Sequence, residues 1–79
     1  MCGIVGYVGD GHAKEKIING LKSLEYRGYD SAGIALDIDG KIEVRKQVGG
    51  ISNLEKIIDD DSFDSNIGIG HTRWATHGA

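Results

Sequence analysis

Glycine density limits what this chain can become. Thirteen of its 79 residues are glycine and none is proline. Glycine at that frequency weakens helices and strands unless the backbone must turn tightly or pass close to a neighbour. The glycines are scattered, without a collagen-like period or a linker-like run, and short apolar stretches fall between them. This is the pattern of a turn-rich chain of short helices and strands with close backbone packing. A chain of this length makes at most one small domain, which buries about 60–65% of its unfolded surface around a marginal core.

The apolar stretches have legible periods. Ile4, Val5, Tyr7 and Val8 lie between glycines and read as a short buried strand. After a loop at Asp10-Gly11-His12, the residues Ile17, Ile18, Leu21 and Leu24 have the one-face spacing of a helix running from Ala13 to Leu24, with Lys14, Glu15, Lys16 and Lys22 on its wet side. Gly20 within it costs about 1 kcal/mol relative to alanine, so a neighbour is expected to pack closely there. Glu25 to Gly33 has no clean period and reads as a loop. Ile34, Leu36 and Ile38 alternate as a strand, Asp39-Gly40 forms a two-residue hairpin turn, and Ile42, Val44, Arg45 and Val48 return. Gly49-Gly50 ends the hairpin. Ile51, Leu54, Ile57 and Ile58 are helically spaced, with Ser52 or Asn53 as a cap, and the acidic Asp59-Asp60-Asp61 falls beyond the helix end, where the dipole does not oppose it. Ile67 and Ile69 make a last short strand that delivers His71 to Gly78. Such a strand needs partners along its edges, so the chain reads as the front of a larger domain.

Composition excludes several functions. The apolar fraction is 39%, the charged fraction 27% and the net charge −3, which fits a globular chain and argues against binding nucleic acid, since there is no basic run. No stretch approaches a membrane span, and the start lacks a cationic secretory segment. A single cysteine makes no internal disulfide, so a reducing, cytoplasmic setting is the default.

Three groups of residues carry possible chemistry. A lone cysteine is ordinarily a small core residue, but Cys2 stands where removal of Met1 would give it a free α-amine. That amine titrates near about 7.7–8.0, far below lysine, so it can serve as a neutral base beside its own thiol. In His71-Thr72-Arg73-Trp74-Ala75-Thr76-His77-Gly78, Arg73 can grip a carboxylate through two parallel hydrogen bonds, Thr72, Thr76 and His77 add hydrogen-bonding groups, and Trp74 can form a wall. The plainer reading is a surface strand end with an Arg–Trp stack. No third ligand accompanies His71 and His77 at metal-site spacing, so no metal is expected. Glu25 to Gly33 is a polar, glycine-rich loop in which Arg27 and Asp30 suit a structural pair and Tyr29 lies near the site.

Cys2-Gly3-Ile4-Val5-Gly6, Leu24 to Gly33 and His71 to Gly78, in this order and spacing, resemble the glutamine–fructose-6-phosphate aminotransferase family. The first block fits any class II glutamine amidotransferase; the other two are more specific. The resemblance implies an α+β fold, the N-terminal part of a four-layer αββα N-terminal-nucleophile hydrolase fold that is incomplete here, with residues 1–79 forming the first segment of a type 2 glutamine amidotransferase domain. It implies Cys2 as the catalytic nucleophile on the glutamine side chain, Arg73, Thr76 and His77 as substrate-binding residues, and Trp74 and Tyr29 as gating or site-loop residues. It further implies no cofactor, glutamine and fructose 6-phosphate as substrates of a complete, homo-oligomeric enzyme, and oxyanion-hole residues and isomerase domains beyond Ala79. The alternatives are a small module that holds an acid without turnover, a non-catalytic fragment, or another class II amidotransferase.

Overall fold

The computed structural model describes residues 3–24, 31–59 and 63–73. Its elements run β1 (Gly3–Val8), α1 (Ala13–Leu24), β2 (Ser31–Ile38), β3 (Lys41–Val48), α2 (Ile51–Ile57) and β4 (Ile67–Arg73). The strands form one sheet in the order β1-β4-β2-β3, antiparallel at every junction. The last strand in sequence therefore lies inside the sheet, between the first and the second. The architecture is α+β, with both helices packed on one face.

Local chemistry accounts for the elements that a short window can encode. Asp39 and Gly40 adopt φ of 54° and 83°, the two left-handed residues that a tight hairpin needs to match strand twist, and Ile38 pairs with Lys41 across them. Helix α1 buries Ala13, Ile17, Ile18 and Leu21. It comes close to the sheet because β4 presents Gly68 and Gly70 to it: a Cβ at Gly70 would collide with Ile17 and Leu21. The approach expected at Gly20 is made by Val5, whose Cγ1 would stand 2.8 Å from an added Cβ. The N-terminus of α1 is held by a distant segment, since the Lys14 amide donates to Asp64 Oδ1 at 2.9 Å and the Ala13 amide to the Ser65 carbonyl at 3.0 Å. A carboxylate there also complements the helix dipole.

Helix α2 packs Ile51 and Leu54 into the core, with Ile58 just past its end and Phe63 buried nearby. The Arg45 guanidinium sits 4.6 Å from the Phe63 ring centroid, a cation–π contact that covers the ring. The cap of α2 is Gly50, with no side-chain cap bond, instead of Ser52 or Asn53. Both lie within the helix, and the Asn53 amide donates back to the Val48 carbonyl at 3.2 Å, tying the helix to the hairpin that precedes it.

Three other expectations change. β1 is not buried on both sides: Val5 and Tyr7 pack on the core while Ile4 and Val8 are 76% and 79% exposed. β2 begins at Ser31, so Ser31-Ala32-Gly33 is strand and not loop. β4 continues through His71 and Thr72 to Arg73. For β1 the reason is that nothing among the described residues covers its second face, and for β2 and β4 it is pairing with a strand distant in sequence, which overrides weak local preference.

Among the described residues no helix lies on the sheet's other face. Strand alternation places Ile4, Val8, Ile42, Val44, Val48, Ile67 and Ile69 there, all exposed. An apolar dent of about 190 Å³ lies among Ala35, Asp37, Ile42, Ile67, Gly68 and Ile69.

Candidate functional site at one end of the sheet

The antiparallel register brings the sequence blocks together. Thr72 pairs with Gly3 on one side and Ala32 on the other, and Arg73 pairs with Ser31. The start of β1, the start of β2 and the end of β4 therefore share one end of the sheet.

Side-chain packing reinforces the junction. His71 and Lys46 flank Gly33 across the sheet, and a Cβ at Gly33 would stand 2.7 Å from His71 Nε2 and 3.1 Å from Lys46 Cγ. The imidazole thus lies directly over the glycine, and a side chain there would have to displace it. This contact joins the Ser31-Ala32-Gly33 end of one block to the start of another. His71 and Arg73 share the uncovered face with Ile69, and Arg73 is exposed at its very end. Of the six positions expected to do chemistry, Arg73 is the one within the described residues; Cys2, Tyr29, Trp74, Thr76 and His77 lie outside them. No group of three or more potential metal ligands occurs among the described residues, and no described helix is long and apolar enough to cross a membrane.

Thr72 differs from its neighbours. Grouped by sequence with the pocket's hydrogen-bonding residues, it instead faces the helix layer and is 1% exposed. Its Oγ1 is buried with no hydrogen-bond partner among the described residues. A Cβ at Gly3 would stand 3.3 Å from that oxygen and 2.9 Å from Leu24 Cδ1. A buried hydroxyl left unpaired costs about 1–3 kcal/mol, so this one is a group for which a partner matters. Sequence carried a signal for it, a threonine at the inward position of a strand otherwise lined by Gly68 and Gly70, but that signal needs the strand's register to be read.

A larger cleft, of about 270 Å³, opens between α1 and α2 and is lined by Lys14, Glu15, Asn19, Glu55 and Asp59 with Ile18 and Ile58 at its base. It shares no residue with the strand ends. Lys14 is engaged there, its Nζ donating to the Ile58 carbonyl at 3.1 Å, and mixed charge on an open helix surface is ordinary solvated protein surface.

No family model matches the chain. Individual proteins do. It is 59% identical over 78 residues to the isomerising glutamine–fructose-6-phosphate aminotransferase of Staphylococcus aureus, 58% identical to that of Shouchella clausii and 55% identical to that of Clostridium perfringens. Each match covers 99% of this chain, and the chain spans 13% of the length of each relative. By sequence, the chain is similar to a segment of the glutamine–fructose-6-phosphate aminotransferases.

Proposed function

We propose that this chain forms the first layers of a class II, N-terminal-nucleophile glutaminase domain in a longer isomerising aminotransferase. Removal of Met1 frees the α-amine of Cys2. The amine takes the thiol proton as sulfur attacks the side-chain amide carbon of glutamine. The carbon–nitrogen bond breaks, the proton passes to the leaving nitrogen, ammonia departs, and water then cleaves the thioester to release glutamate. Arg73 holds the glutamine α-carboxylate, Thr76 and His77 line the same pocket, and Trp74 and Tyr29 border it, with Trp74 gating the exit of ammonia. Fructose 6-phosphate, bound in another part of the complete chain, takes up the ammonia at its carbonyl carbon with loss of water and is isomerised to glucosamine 6-phosphate.

The observation that carries this reading is the shared strand end. The backbone that leads to Cys2 and the strand that ends in Arg73 are adjacent and in register at Gly3 and Thr72. A nucleophile at the chain terminus needs a fixed terminus, since free ends otherwise fray, and hydrogen bonding of β1 to an interior strand supplies it. The uncovered sheet face supports the four-layer αββα architecture. Seven exposed Ile and Val residues make the kind of apolar surface that a second sheet, stacked about 10 Å away, buries.

Replacing Arg73 with lysine in the complete enzyme tests the assignment. Charge is kept while the two-pronged grip is lost, and a charge-assisted hydrogen bond is worth about 1.5–3 kcal/mol. KM for glutamine is expected to rise roughly 10- to 150-fold with kcat changed much less. Unchanged glutamine kinetics would remove Arg73 from the pocket.

A further inference from the structure

We propose that Thr72 is a positioning residue for the amino-terminal nucleophile, its hydroxyl accepting a hydrogen bond from the α-amino group that removal of Met1 leaves on residue 2. This rests on the reading of Cys2 given above and adds a residue to it.

Three observations converge on this hydroxyl. Its place is the first: Thr72 is the cross-strand partner of Gly3, and Oγ1 lies 3.3 Å from the point where a Gly3 side chain would begin. The Leu24 side chain packs beside the hydroxyl at the same point, its Cδ1 at 2.9 Å, and residue 2 is the next residue along the chain. Burial is the second. Thr72 is 1% exposed, the buried polar residue of a described core that is otherwise apolar. The third is its unmet capacity, because Oγ1 has no partner among the described residues. Valine has the same shape, suits a strand equally well and carries no polar atom to satisfy. A hydroxyl at this position therefore has a task that packing does not explain.

The chemistry of the terminus supplies that task. A terminal amine turns freely about its N–Cα bond, and only one orientation aims the nitrogen lone pair at the thiol of the same residue. A threonine hydroxyl offers two acceptor lone pairs and one donor. By accepting one N–H it removes the rotation and leaves the nitrogen lone pair free for the thiol proton, so the gain is one of orientation. Thr72 touches neither glutamine nor the reacting carbon. Its effect belongs in turnover and not in substrate affinity.

Glutaminase kinetics of the complete, Met1-processed enzyme test this with Thr72→Val, Thr72→Ser and Thr72→Ala, beside Cys2→Ala as a control. Thr72→Val is expected to lower kcat about tenfold with KM for glutamine within about twofold of wild type, and Thr72→Ser to recover most of the loss. Should the valine variant fail to accumulate as folded protein, serine and alanine read the same hydroxyl, since they differ in that atom alone, and serine should exceed alanine in kcat by about threefold or more. Wild-type kcat in Thr72→Val, equal loss in the serine and alanine variants, or a loss confined to KM would each overturn the proposal, the last because it would place the hydroxyl on the pocket wall. The control separates the two levels of inference. Cys2→Ala inactive with Thr72→Val at wild-type kcat removes the role of Thr72 alone, whereas glutamine hydrolysis by Cys2→Ala would remove the nucleophile assignment itself.

Discussion

The two faces of the sheet are built from the same alternation and end in opposite states. On one, Ala32, Ile34 and Leu36 are at most 1% exposed beneath Ile17, Leu21, Ile51 and Leu54. On the other, Ile4, Val48 and Ile69 are 76%, 76% and 56% exposed. The covered face is closed by helices that lie next to their strands in sequence, α1 directly after β1 and α2 directly after β3. Nothing within the described residues covers the other. Exposed apolar residues scattered singly are normal, but a contiguous face of them marks an interaction surface. The contrast teaches that neighbouring sequence closes one face of the sheet, while the other face stays apolar and exposed among the described residues.

The contrast can be broken most forcefully on the covered side. Leu36→Ala removes a fully buried side chain from the centre of the sheet and should cost about 2–5 kcal/mol in the complete protein by urea titration. A loss under about 1 kcal/mol would mean that this face is not the tightly packed layer described. A smaller but more discriminating effect is expected on the open side. Ile69→Thr should change stability by no more than about 0.5 kcal/mol in the 79-residue chain, where the residue is exposed. In the complete chain, with a second sheet seated over it, the same substitution buries a hydroxyl without a partner and should cost about 1–3 kcal/mol. Equal, small effects in both lengths would make the open face a true surface and remove the four-layer reading.

What could be read from sequence divides along the same line. The hairpin turn at Asp39-Gly40 and the buried stripe of α1 are encoded within a few residues, by positive φ and by 3–4-residue spacing; the turn appears as expected, and of the stripe Ile17, Ile18 and Leu21 are buried while Leu24, at the helix end, is 43% exposed. The expected close packing at Gly20 is also present, made by Val5. The strand character of Ser31-Ala32-Gly33 was not legible, since these small residues have little intrinsic preference for strands and owe their state to Val48, Gln47, Lys46 and β4 alongside. The interior place of β4 was hidden for a similar reason: Ile-Gly-Ile-Gly is a poor strand by propensity, and its glycines make sense only with α1 lying over them. The capping of α1 by Asp64 spans fifty positions and has no local signature. At the site, sequence placed Arg73 in the segment that the last strand delivers, and the structure has it within that strand, as its exposed final residue. Sequence grouped Thr72 with it because the two are neighbours in the chain, although strand alternation turns them to opposite faces.

The central claim is that an amine and a thiol on one terminal residue act together, and the state of Met1 tests it directly. While Met1 remains, the nitrogen of Cys2 is an amide whose lone pair is delocalised, so it cannot take the thiol proton, and a thiol near its ordinary pKa of about 8.5 is only a few per cent thiolate at neutral pH. The measurement compares glutaminase rates of the processed and the Met1-retaining complete enzyme, with the terminus of each verified by mass spectrometry. The processed form should hydrolyse glutamine and the Met1-retaining form should be strongly suppressed, although its thiol is untouched. Equal rates in the two forms would contradict the account, because the amine could then not be the base.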